Sequence, residues 1–245
     1  MSIFRNSNSG ETESSLLQRA TSWPDYTTLE SLTGESLQEI TRLHGIDFAT
    51  ALIFDRFKND PARVHFIERI NSLRESQRQP CKTVDVKVVI IPGALYLERP
   101  DIGGDGKLVR EVADKFGWKS DLIPLVSVGP VAENARRICD WLAHHADEKI
   151  LLVSLSKGGA DLKMALTSPN ALDLFRNVLA WVNVCGPLNG SRMANWILAS
   201  SLRTQLTRLQ YKLQGRDFRF VTDLRHGVNS LLNFPMRIPP HLKMA

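Results

Sequence analysis

The stretch with the clearest chemical potential is Leu151-Leu152-Val153-Ser154-Leu155-Ser156-Lys157-Gly158-Gly159-Ala160-Asp161. An apolar run of strand length leads into Ser156, and small residues and a helix-forming segment follow. Ser154 and Gly158 stand two positions before and two after. This is the pattern of a nucleophile elbow, G-x-S-x-G, with serine in place of the first glycine. The small flanks have a steric reason: the serine backbone of such a turn is strained, and bulk two residues away would strike the adjoining strand and helix. The turn lifts the hydroxyl above the sheet edge. It also aims the Lys157 N–H and a helix N-terminus at the space where a tetrahedral oxyanion would form. The chemistry expected of Ser156 is therefore attack on a carbonyl carbon. Serine and glycine turns after strands are common, so the weight comes from the strand–turn–helix setting rather than from the five-residue pattern.

That setting recurs along the chain. From Thr83 onward, apolar strands alternate with amphipathic helices: strands at 84–91, 121–128, 150–154 and 178–184, helices at 107–116, 132–146 and 160–168. Strands that are apolar throughout, separated by helices of this length, imply an α/β protein with a parallel sheet covered on both faces. In the first of these helices Leu108, Val112 and Phe116 share a side. Residues 1–33, rich in Ser, Thr, Asn and Glu, read as a flexible N-terminal region. Residues 34–82 read as a helical appendage and linker, residues 83–199 as the α/β core, and residues 200–245 as a basic helical cap. In the last of these, Leu202, Leu206, Leu209 and Leu213 form one narrow stripe at about 100° per residue, flanked by Arg203 and Lys212. A stripe of this kind ordinarily faces a core, which is the expectation here; a lipid-touching cap helix is the other reading.

Two further segments accompany the elbow in register. Val88-Val89-Ile90-Ile91-Pro92-Gly93-Ala94 precedes it, and Val182-Asn183-Val184-Cys185-Gly186-Pro187-Leu188-Asn189-Gly190-Ser191 follows, continued by Ala194-Asn195-Trp196. Together the three resemble the α/β-hydrolase superfamily, and within it the lipase and esterase branch. The first is similar to the strand leading to the His-Gly oxyanion turn, with Pro92 in place of histidine. The last is similar to T-P-H-R-G-S and its A-D-W continuation, with Leu188 and Asn189 replacing His-Arg. The resemblance spans roughly residues 84–199. It implies a fold of about four parallel strands in spatial order 2-1-3-4 by appearance, a nucleophile at Ser156, and oxyanion donors at the N–H groups of Ala94 and Lys157. It implies no cofactor and no metal.

In this superfamily the acid and histidine of the triad follow two further strands. The chain reaches Ala245 about where the first would begin, so neither has a matching position here. A serine without a base is a weak nucleophile at neutral pH. Asp223 and His226 follow Ser156 in the expected order and share a face if their segment is helical. His241 is the other late candidate. An exposed histidine on a basic helix is the more ordinary reading of both, given how strict general-base geometry is. His144 and His145 read as helix-end residues, and His44 and His65 show no partner pattern.

Several alternatives drop out. Gly103-Gly104-Asp105-Gly106-Lys107-Leu108 lacks the first glycine and the Ser/Thr of a phosphate loop, and reads as a flexible connection. No calcium loop, H-E-x-x-H or C-x-x-C is present. Cys81, Cys139 and Cys185 are too few and scattered for a disulfide framework, which makes a reducing cytoplasm the default. The opening residues lack the apolar core of a secretory signal, and no apolar run approaches the roughly 20 residues of a membrane span. Over 245 residues, 43% hydrophobic and 23% charged content excludes wholesale disorder. The net charge of +5 resides in the tail, where residues 200–245 hold eight Lys and Arg against Asp217 and Asp223. No aromatic platform is interleaved with those cations, so no nucleic-acid partner is expected.

Two readings of function remain. One is a lipase/esterase-like serine hydrolase acting on small-molecule or lipid carboxylic esters, its activity limited by an incomplete triad. The other is a non-catalytic hydrolase-fold protein acting as a binding or interaction module. Self-association through an uncovered sheet edge belongs to the second.

Overall fold

A computed structural model describes residues 11–75 and 85–245, so Cys81, Val84 and most of the expected linker lie outside the described residues. The chain forms two compact units, residues 1–79 and 80–245.

The N-terminal unit contains α1 (Glu13–Thr21), α2 (Gly34–His44), α3 (Ile46–Lys58) and α4 (Val64–Glu75). Thr12 and Thr33 cap the first two helices, each accepting a backbone N–H three residues on. Where a flexible segment was expected before residue 34, α1 delivers a fully buried Ala20 to a core that includes Ile40, Phe48 and Leu52. The buried Arg56 guanidinium holds the following loop, donating to the carbonyls of Ala20 (3.1 Å), Trp23 (2.9 Å) and Tyr26 (2.7 Å). Polar chain around an apolar core is thus anchored by one side chain whose donors are used on carbonyl groups and on the neighbouring Asp55 carboxylate.

The second unit is the sheet: β1 (Lys87–Ile91), β2 (Lys119–Leu122), β3 (Ile150–Leu155), β4 (Val178–Val184) and β5 (Lys243–Met244), in spatial order β2-β1-β3-β4-β5 and parallel throughout. The expected four-strand order is present. The addition is β5, two residues long, pairing Lys243 with Ala180 and Met244 with Trp181. Helices α5 (Lys107–Lys115), α6 (Val131–His144), α7 (Lys157–Ala165) and α8 (Ala171–Leu174) connect the strands. Three more, α9 (Arg192–Leu198), α10 (Ser201–Leu213) and α11 (Arg219–Asp223), follow β4. Among the described residues no helix is long and apolar enough to cross a membrane.

Strand alternation divides the core into two layers. Val89, Ile91, Ile150, Leu152 and Trp181 pack with Ile138, Leu142 and Leu162 of α6 and α7, while Val88, Ile90, Val153 and Leu155 meet Ala113 of α5. Coverage of the second face is partial, because Val184 at the end of β4 is exposed. Two helix orientations differ from expectation. On α5, Leu108 and Val112 face solvent, and Ala113 is inward with Val109 packing beside it. On α10 the leucine stripe is exposed, and the helix packs through Tyr211 instead.

Candidate functional site

Strand β3 ends at Leu155, α7 begins at Lys157, and Ser156 makes the turn between them with φ 47° and ψ −122°. Leu95 (φ 63°) and Cys185 (φ 54°) also have positive φ without being glycine. They follow β1 and β4, the two strands flanking β3, so strained backbone gathers at one end of three adjacent strands. Such conformations cost on the order of 1–3 kcal/mol each and persist where the surrounding packing enforces them.

That packing is visible around the elbow. The Ser156 N–H donates to Val184 O of β4 at 2.9 Å. A β-carbon on Gly158 would stand 2.5 Å from Ile91 O and 2.7 Å from Pro92 O, so only glycine lets α7 start this close to the end of β1. One on Gly93 would lie 3.3 Å from the Ser156 β-carbon, which puts the turn bearing Ala94 in van der Waals range of the serine. The Gly93 N–H in turn donates to Gly104 O at 2.9 Å. The glycine-rich segment that resembled a phosphate loop therefore closes the turn beside Ser156. Ser154 has a use for its hydroxyl: it accepts from Trp181 Nε1 at 2.8 Å and donates to Asn183 Oδ1 at 2.9 Å, tying β3 to β4 below the elbow.

Ser156 is exposed, Ala94 half-buried, and the Lys157 side chain buried. The N–H groups of Ala94 and Lys157 have no backbone partner among the described residues. The Lys157 ammonium turns away from the serine and lies 2.7 and 2.8 Å from the two Asp161 carboxylate oxygens, one of which also accepts from Asn134 Nδ2 at 2.9 Å. Burial pushes the Asp161 carboxyl up to about 6, against the pull of Lys157 and Asn134, and the charge of Asp223 adds to the rise. Lys163, six residues along α7 from Lys157 and equally buried, donates to Leu188 O, Asn189 Oδ1 and Leu232 O, anchoring the loop after β4; burial lowers its pKa. Neither lysine is signalled by the serine motif, though the spacing of Lys157 and Asp161 fits an i,i+4 pair.

The three late candidates are separated by topology. In a parallel sheet all strands point one way, so helix N-termini lie at the same end as the elbow. Asp223 accepts the Val131 N–H at 2.9 Å, at the start of α6, and is on that end. His226 is as well: its Nδ1 is hydrogen-bonded to Asn189 O at 2.8 Å, in the loop after β4. Yet α11 stops at Asp223, so the two do not share a helix face, and neither is hydrogen-bonded to Ser156. His241 bonds Phe175 O at 2.8 Å, before β4 begins, and so occupies the opposite end of the sheet. His144 and His145 are also at that end, closing α6 with ring nitrogens on the carbonyls four residues earlier. Among the described residues there is no cluster of three or more His, Cys, Asp or Glu suited to a metal. Cavities of about 530 Å³ (beside Lys163, Leu166 and Phe234) and about 540 Å³ (beside Asn195, Thr222 and Arg225) are lined by neither Ser156 nor Ala94.

No protein-family model and no curated protein matches the chain. Solved structures do. A metagenomic carboxyl esterase superposes with a TM-score of 0.52 at 19% sequence identity, covering 69% of this chain and 52% of that one. A mature lipase of Bacillus licheniformis gives 0.43 at 22% identity, covering 59% and 56%, and lipase B of Aspergillus fumigatus gives 0.31 at 18%, covering 47% and 28%. The chain spans about half the length of the esterase it resembles. With five parallel strands in this order, helices on the sheet and an esterase superposing on it, the chain has the α/β-hydrolase fold.

Proposed function

We propose that this chain is a lipase/esterase-like serine hydrolase with Ser156 as its nucleophile and carboxylic esters, of small molecules or lipids, as its substrates. The observation that carries the reading is the backbone of Ser156: positive φ on a non-glycine residue, exposed at the strand-to-helix turn and held by packing on both sides. Ser156 Oγ would attack the ester carbonyl, and the N–H groups of Ala94 and Lys157 would receive the developing oxyanion. The tetrahedral intermediate then expels the alcohol, and water releases the acid from Ser156. The proton of the hydroxyl needs an acceptor. In the sheet unit His226 is the imidazole at the elbow end among the described residues, and it would have to leave Asn189 O to serve.

The test is the intact mass of the protein after exposure to a fluorophosphonate, beside Ser156→Ala and with circular dichroism on both. One added probe mass on the parent alone is the expected result. A folded parent that takes up no probe removes the reading. It would leave the second one, a hydrolase fold used for binding, which is favoured by the lack of any hydrogen bond between Ser156 Oγ and an imidazole among the described residues.

A further inference from the structure

We propose that α10 is a docking face for anionic lipid bilayers, an interaction that does not depend on the chemistry of Ser156. Helix α10 runs 13 residues from a Ser200 cap that accepts the Arg203 N–H. Its inward side is set by Tyr211, which packs edge-on against Phe218 (centroids 6.2 Å apart) and beside Phe220 (5.5 Å), and by Thr204, whose hydroxyl donates to Ile197 O. At about 100° per residue, Leu202, Leu206, Leu209 and Leu213 then fall on the opposite side. They are 65%, 59%, 54% and 78% exposed. The stripe is thus a ridge on the outer side of its helix, a shape that enters a planar apolar layer more readily than it fills a pocket.

Charge selects the occupant. Arg203 and Lys212 flank the ridge, Arg208 lies further round with its guanidinium over the Phe218 ring (5.2 Å), and α10 contains no acidic residue. A second copy docking through the same face would bring its two flanking cations against two more with no acidic residue of α10 to pair them, which the charges oppose. A bilayer surface carrying anionic headgroups is complementary: leucines reach the acyl boundary while long cationic side chains extend to the phosphates. The neighbouring Trp196 fits the same surface. It is exposed, with the Arg203 guanidinium stacked 4.3 Å from its ring, an amphipathic pairing suited to the headgroup level.

The experiment is co-sedimentation of the full chain with vesicles of phosphatidylcholine alone and of phosphatidylcholine mixed with phosphatidylserine. Binding is expected to the mixed vesicles and to weaken as salt is raised. Leu206→Gln with Leu209→Gln should reduce it by about tenfold or more, and Lys212→Glu by about fivefold or more. Ser156→Ala should bind like the parent, so failure of the docking proposal and failure of the hydrolase reading are distinguishable. If the leucine variant loses its helical circular dichroism, Lys212→Glu decides. The proposal is overturned if the folded parent ignores the mixed vesicles, or if the leucine variant binds them undiminished. It is also overturned if light scattering without lipid shows a dimer that the leucine variant dissolves, because the face would then belong to a second copy.

Discussion

The Lys157 ammonium and the Asp161 carboxylate are brought together by the helical turn that begins at the elbow, and both are almost wholly removed from water. Desolvation disfavours the charged carboxylate more than Lys157 and Asn134 favour it, so its pKa rises from 3.8 to about 6. The sign of the consequence follows. Between those two values the unfolded chain has released a proton that the native state still holds, so stability is greatest below the lower value and falls as pH rises through the upper one. Denaturation midpoints of the parent and Asp161→Asn, measured from about pH 4 to about pH 7, should therefore differ by an amount that changes across this window. Parallel profiles would show that Asp161 does not titrate there. This pair illustrates the limit of sequence reading at the residue scale. Ser156 is legible because a strained turn demands small neighbours in a fixed pattern. Lys157 and Asp161 lie in the same segment, but i,i+4 pairs are common on exposed helix faces, and spacing does not say which pair the fold will bury.

At the scale of elements, the ends of β1, β3 and β4 and the start of α7 make one packed assembly, and Gly158 is where α7 comes closest to neighbouring backbone. A methyl group there would meet two backbone carbonyl oxygens, Ile91 O and Pro92 O, neither of which can swing aside as a side chain would. Gly158→Ala should destabilise the protein by about 1–3 kcal/mol, read from a urea midpoint. It should also slow fluorophosphonate capture, because separating α7 from β1 moves Ala94 away from Ser156. Undiminished capture and stability would mean that the turn yields more easily than its packing suggests. Strands β1, β3 and β4 were legible because they are almost wholly apolar, which fits burial between layers, whereas the edge strand β2, Lys-Ser-Asp-Leu, lies at Lys119–Leu122 and not over the 121–128 expected. The direction of α10 was not. Periodicity fixes that four leucines share a side; what that side meets depends on Tyr211, Phe218 and Phe220, whose meeting is a tertiary event. The late histidines are sorted by the same kind of event, since chain order after Ser156 does not reveal that His226 lies at the elbow end and His241 at the other end of the strands.

For the molecule as a whole, the decisive feature is that apolar burial is organised in separate cores. Leu52, fully buried, packs with Ala20, Ile40 and Phe48 in the N-terminal unit, whereas Val89, Ile91, Leu152 and Trp181 form the main core of the sheet unit. Polar anchoring is equally partitioned, with Arg56 spanning the loop carbonyls of the first unit and Ser154 bridging Trp181 and Asn183 in the second. Cavity formation is felt by the cooperative unit that contains the cavity. Leu52→Ala should therefore cost the N-terminal unit about 2–5 kcal/mol. In hydrogen exchange followed by mass spectrometry, peptides from α1, α2 and α3 should exchange faster while those from β1, β3 and β4 keep the parent's protection. Acceleration of equal size in both sets would show one cooperative structure in place of two. Confined acceleration would place the elbow on a sheet whose stability is set by its own core, so that Ser156 should retain its reactivity toward the fluorophosphonate in the Leu52→Ala protein.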